Sequence, residues 1–384
     1  MIKLNDFWKV SGNTEAGFAD ALSAIATHTT TVTDSPLPYY VKDGIAYECK
    51  EDPFDEKVRG HNISELLVCH DPELMEEAKN TRAVFSCDGR VLPVTRFLRD
   101  QFSFIGLTKQ ENFTYHQLGM IREKTKNVPI RMVVRTDGTD EKIFSCHSKG
   151  YAYCPQNVVG DFVMNDVLSP AAGARLDSWS VTHFGTTATF LFEGQCEERS
   201  YGIYDDLVFT PQIVFNNSDS GDSSLRMTLS WNAECGFSQF LATGKDTVLA
   251  KHTGSMSRIK KQFLSDANRL LGKLTTFPRR LDELHSHVIP ADDVIPTLDA
   301  LIEDASIKKI GQTLTNCMRD YCVEVLDDGK AHSEAEIVLT VMAAPEKAKS
   351  TGGLDLKEIM SDNQINWLGC LMAEVPYRTQ SSKH

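Results

Sequence analysis

Two groups of side chains in this chain have the types and spacing needed to hold a phosphate backbone. Between Lys251 and Arg280 stand eight cations, Lys251, Arg258, Lys260, Lys261, Arg269, Lys273, Arg279 and Arg280, against one acid, Asp266, a local balance of +7. Such a run binds a polyanion by neutralising phosphates and releasing their counterions. The second group is Tyr151 and Tyr153 with Arg131, Arg135 and Lys149 close by in sequence. Flat rings stack bases while neighbouring cations take the phosphates, which is how single-stranded nucleic acid is held without base reading. Trp179 offers another ring, though a tryptophan in an apolar alternation is more often core than platform. His252, with Thr253 and Gly254, stands at a helix start, where free amides either bind an anion or are capped.

Bond-making chemistry has a weaker footing. GxSxG, P-loop, GxGxxG and HExxH, the local patterns that place a nucleophile, phosphates or zinc on defined elements, are absent. Cys146, His147, Cys154, His183 and Cys196 match no common zinc spacing, and adjacent strand residues such as Cys146 and His147 point to opposite faces. His285 and His287 lie in an acidic segment without a hydrolase context. No catalytic residue, metal or cofactor is expected. The ten cysteines lack close CxxC pairs, which suits reduced thiols in a cytoplasm rather than a disulfide scaffold.

With 384 residues and 41% hydrophobic content, the chain can bury a substantial core. Its net charge of −13 argues against a uniformly basic coat, so the basic island stands out by contrast. No run of about 18 apolar residues is present, and the first residues lack the form of a secretion signal, so neither a membrane span nor export is expected.

The cations and rings need a scaffold. Leu207, Phe209, Ile213 and Phe215 with intervening valines read as a strand buried on both faces, and Leu225, Met227, Leu229 and Trp231 as one with a dry and a wet face. Asn216 to Ser223 turns between them, and a compact Cys-Gly segment follows. Ile130 to Arg135 and Ile143 to Cys146 form a hairpin about Asp137-Gly138, Tyr151 to Cys154 a third strand, and Asn157 caps a helix to Val167. Two further strands, around Trp179 to His183 and Ala188 to Phe192, precede a polar connection over Gly194 to Asp206. Ile259, Phe263, Ala267, Leu270 and Leu274 make one face of a helix, and Arg258, Lys261, Arg269 and Lys273 the other. The rest is helical, including Ser333 to Ala344, ending at Pro345, and a last helix from Leu354 to about Ala373. The fold class is therefore α+β, a mostly antiparallel sheet with a β-β-β-α unit and further hairpins. Residues 1–84 read as an N-terminal extension, 85–275 as the core and 276–384 as a helical C-terminal region.

Arg135-Thr136-Asp137-Gly138, Ser148-Lys149-Gly150-Tyr151 with Asn157, the turn Asn217 to Asp222, Trp231 to Cys235 and Lys251-His252-Thr253-Gly254 occur in this order. The succession resembles the phage/plasmid-like protein family, a domain of unknown function on bacteriophages, prophages and conjugative plasmids. The likeness covers roughly residues 90–275. The family carries an Arg-Val-Val-Cys-Asn-Asn type segment where this chain has Trp231 to Cys235, so one basic residue is missing here. In outline, the β-β-β-α unit followed by strands and a basic helix is also similar to phage single-strand annealing proteins of the RecT and Erf type. The family likeness implies a mobile-element protein in a bacterial cytoplasm and supplies no activity; the outline likeness to annealing proteins implies single-stranded DNA bound through the cations and tyrosines above, by a homo-oligomer. The competing expectations are an interaction or virion protein acting on a host partner, and an enzyme without a familiar motif.

Overall fold

A computed structural model describes residues 2–49, 60–95, 98, 115–126, 128–148, 150–168, 173–221, 223–235, 238–306 and 312–352. Its largest sheet has seven antiparallel strands. They are β1 (Lys9–Gly12), β10 (Arg175–Thr182), β11 (Thr186–Leu191), β13 (Tyr204–Asn217), β14 (Leu225–Cys235) and β15 (Ser238–Ala250) in that spatial order, with β12 (Glu197–Tyr201) beside β13. A three-stranded sheet orders β2 (Thr29–Asp34), β8 (Ile130–Thr136) and β9 (Glu141–His147). A five-stranded one runs β5 (Gly60–Asn62), β4 (Ile45–Glu48), β3 (Leu37–Lys42), β6 (Ala83–Cys87), β7 (Arg90–Pro93). The fold is α+β, mostly antiparallel, with a helical C-terminal region.

The long hairpin of β13 and β14 supplies the floor of the main core. Phe209 faces Ala233, Ile213 faces Leu229 and Phe215 faces Met227 across the ladder. These residues are buried while Val208 and Val214 are only half-buried, so β13 has one dry face and not the two its apolar run suggests. Onto that floor pack α6 (Met256–Leu271), α7 (Thr276–His285) and α10 (Glu334–Gly352). Trp231 fixes the join: its ring stacks on Phe277 with centroids 4.9 Å apart, and its indole N–H donates to the Leu274 carbonyl at 2.8 Å.

Several elements differ from the sequence reading, for physical reasons. Tyr151 to Cys154 is not a strand; only Tyr151 makes a bridge, to Thr253, and the third place in the small sheet is taken by β2. The helix that follows, α5 (Gln156–Phe162), begins after Pro155, whose fixed φ suits a helix entry, and continues as a π-turn over Val163–Val167. The polar connection after Gly194 contains β12, a strand carried by pairing with β13 and not by apolar side chains. The Cys-Gly segment opens into β15, whose register with β14 runs from Cys235↔Ser238 to Leu225↔Ala250. Helix α10 passes through Pro345; eleven residues before it, Glu334 to Ala344, are mostly buried, and that packing outweighs the one lost hydrogen bond. The expected helix over Leu354–Ala373 lies outside the described residues.

The first 84 residues are woven into the rest and are not an appendage. Strand β1 pairs with β10, and β2 pairs with β8 along Thr29↔Arg135 to Asp34↔Ile130. Phe18, Leu22 and Ile25 of α1 (Glu15–Thr27) enter the main core, and Phe85 and Leu92 of the five-stranded sheet share a second core with Met132, Val134 and Ile143 of the small sheet, to which Val94, just past β7, is bridged at Ile143.

Candidate nucleic-acid interface

The basic helix α6 is amphipathic in the way its sequence requires. Ile259, Phe263, Ala267 and Leu270 are buried on the sheet, which pins the helix so that Arg258, Lys261 and Arg269 stand exposed on the opposite side. Ser255 caps its N-terminus, accepting from the Arg258 amide, and Gly254 before it holds φ at +87°, a left-handed conformation suited to glycine. Lys251 and Arg279 are exposed as well, while Lys273 and Arg280 are half-buried. Lys260 is drawn inward, its ammonium 5.0 Å from the centre of the Phe162 ring. Arg269 lies 3.3 Å from Asp266, an exposed pair that screening makes weak and easily exchanged for a phosphate.

Where the β8–β9 hairpin meets the turn after β13 and the loop before α6, the structure brings Arg135, His147, Tyr151, Tyr153, Asp219 and His252 together. Arg135 is fully buried, and its guanidinium donates to Asp219 Oδ1 at 2.8 Å and to the His183 carbonyl at 2.6 Å. Asp219 also accepts from Gln156 at 3.0 Å and from the Tyr153 hydroxyl at 3.4 Å. Tyr151 stacks on His147, centroids 3.9 Å apart, and its hydroxyl bonds His252 Nδ1. The His147 ring in turn reaches Ser145 Oγ at 2.9 Å and the Asp219 carbonyl at 3.2 Å.

Burial sets the charge states here. It lowers His147 to about 4 and His183 to about 3, with the Arg135 charge adding to the shift of His183, and it lowers His252 too. Tyr151 and Tyr153 are raised well above the ordinary tyrosine range, again by burial and then by nearby negative charge. Burial also holds the Cys154 thiol protonated, at about 11, as it does Cys49 and Cys322 elsewhere in the fold, at about 12. These are not nucleophiles at neutral pH.

The residues expected to bind nucleic acid thus fall into two sets. Lys251, Arg258, Lys261, Arg269 and Arg279 are exposed, with Lys273 and Arg280 at the margin. Arg135 is spent on Asp219 inside the protein and offers no surface charge, a correction to its expected phosphate contact. Arg131 is half-buried, its guanidinium 3.5 Å from the Tyr151 carbonyl. Tyr151 has one face covered by His147, and Tyr153 turns its hydroxyl to Asp219, so neither is a bare platform. Trp179 is buried and donates to the Thr14 carbonyl at 3.0 Å. Lys149 lies outside the described residues. What the residue types alone did not show is that Asn217, Ser218, Asp219 and Ser220 are buried, since a run of such residues reads as a surface turn. Their signal was the need of a buried Arg135 for a carboxylate, visible only once β8 is known to be central.

Compared with family profiles, curated proteins and solved structures, the chain matches none.

Proposed function

We propose that this protein binds nucleic acid through its phosphate backbone, using the exposed face of α6, and serves the recombination or replication of a mobile element without making or breaking bonds. The observation that carries the reading is the arrangement of Arg258, Lys261 and Arg269 on the wet side of a helix whose other side is locked into the core. Cations on a helix already packed into the core lose no backbone freedom on binding, and each neutralised phosphate releases counterions. The mobile-element part of the reading rests on the resemblance of the ordered motifs to the phage/plasmid-like family, of which Arg135, Tyr151, Asp219 and His252 lie together in the fold. Single-stranded DNA is the proposed ligand and strand annealing the proposed use.

Because Tyr151, Tyr153 and Trp179 are engaged in the interior, affinity rests on phosphates more than on stacking. The test is to mix labelled complementary single strands with the purified protein and follow both binding and the rate of duplex formation. Binding of single strands with faster annealing is expected. Failure to bind any strand at low salt overturns the proposal, and binding without faster annealing removes its annealing part.

A further inference from the structure

A cleft of about 660 Å³ opens between the N-terminal segment and α3 (Pro72–Thr81), with Asp6, Phe7, Glu73, Glu76 and Glu77 among the side chains that line it. Its charge is unbalanced. At the inner end the buried Lys142 ammonium lies 2.7 Å from Asp6 Oδ1 and 2.8 Å from Glu77 Oε2, so two carboxylates share one cation. At the rim Glu76 has Lys79 at 3.3 Å, and Glu73 adds a further exposed carboxylate. Four acids therefore face two bases. Phe7, at the mouth, is 88% exposed, the most exposed large apolar residue among those described. A bare ring beside excess carboxylate suits the side chain of an arginine or lysine, whose stem and cationic head use the ring while the carboxylates take the N–H donors.

The chain itself carries the complementary surface. Residues 251–280 are its most basic stretch, and Arg258, Lys261 and Arg269 present it on the outer face of α6. Helix α6 packs on the seven-stranded sheet, whereas α3 packs on the five-stranded one, so the two surfaces belong to different parts of the fold. We propose that the cleft receives the basic face of α6 from a second copy of the chain. The contact pairs two different surfaces, so it is heterologous and repeats from copy to copy into rings or filaments. It also engages the cations assigned above to phosphates, so nucleic acid and the acidic cleft compete for α6. The charge complementarity stands whether or not nucleic acid binds.

Charge exchange tests this on full-length protein, with residues exposed enough to change without unfolding it. One variant carries Glu73→Lys and Glu76→Lys; the other carries Arg258→Glu and Lys261→Glu. Sedimentation velocity is run at about 0.05 and 0.5 M salt, on either side of the concentration where the screening length is about 10 Å. Wild type is expected to associate at the lower salt and dissociate at the higher. Each variant alone should stay monomeric, and an equimolar mixture of the two should associate again, because each then meets an oppositely charged partner. A wild type that is monomeric at both salts, a variant that associates alone, or a mixture that fails to associate overturns the proposal. The cleft variant should still bind single-stranded DNA; loss of association with DNA binding intact, or the reverse, separates this contact from the nucleic-acid function.

Discussion

Arg135 shows how one side chain changes meaning between sequence and structure. In the string it stands among cations and tyrosines; in the fold it is a buried charge whose partner, Asp219, is 84 residues away. Removing one member of such a pair strands the other in a low-dielectric interior, at a cost of about 3–5 kcal/mol. Arg135→Met should therefore lower the urea midpoint sharply, with Asp219→Asn close behind, and the double variant should cost less than the two losses added. Additive losses would show that the two residues act independently. The histidines around them predict a pH response. His147 and His183 titrate at about 4 and about 3 in the folded state, against about 6.5 unfolded. Between those limits the unfolded chain binds more protons, so stability is full above about 6.5 and falls as pH drops toward 4 and then 3. Each unit of difference is worth about 1.4 kcal/mol per group. Denaturant midpoints measured from pH 7 to 4 should fall, and His147→Gln should flatten the upper part of the decline; a flat profile would contradict buried neutral rings.

At the scale of elements, legibility followed the source of each element's stability. Strand β13 and helix α6 are stabilised by their own apolar faces, so alternation and the helical wheel reveal them, as turn chemistry reveals the β8–β9 hairpin, where Gly138 takes φ of +103°. Strands β12 and β15 are sustained by ladders to β13 and β14, and the sequences of Glu197–Tyr201 and Ser238–Ala250 carry no clean period of two. Tyr151 to Cys154 failed the other way, since β-prone side chains there serve the Asp219 cluster and β2 had already filled the sheet. One joint between elements yields a prediction of its own. Gly202 holds φ at +54°, and a Cβ added there would collide with the Glu336 carboxylate, which accepts from the Ile203 amide at 3.1 Å and caps α10 through Ser333 at 2.7 Å. Gly202→Ala should cost about 1–3 kcal/mol in thermal or chemical unfolding. A variant as stable as the parent would mean that this corner is slack.

For the whole molecule, the α+β class was legible because composition, turn chemistry and the two periodicities agreed. The interleaving of the first 84 residues with later strands was not, because β1–β10 and β2–β8 pairing joins segments far apart in the chain, and nothing local encodes which strands meet. Half of the candidate site was readable for the same reason: the cations of α6 follow from one helix, whereas the Asp219 cluster needs five segments together, the β8–β9 hairpin, Tyr151 to Gln156, His183, Asp219 and His252. No helix among the described residues is long and apolar enough to cross a membrane. The proposed function rests on charge distribution, a chain of net charge −13 whose residues 251–280 carry a local balance of +7. Its most direct test is the salt dependence of binding to a labelled single strand, wild type against the Arg258→Ala, Lys261→Ala, Arg269→Ala variant. Loss of up to three phosphate contacts predicts a log–log slope shallower by about 2, at roughly 0.7 per contact on single strands, with unfolding midpoints unchanged. Equal slopes for the two proteins, or no binding by wild type at low salt, would contradict the account.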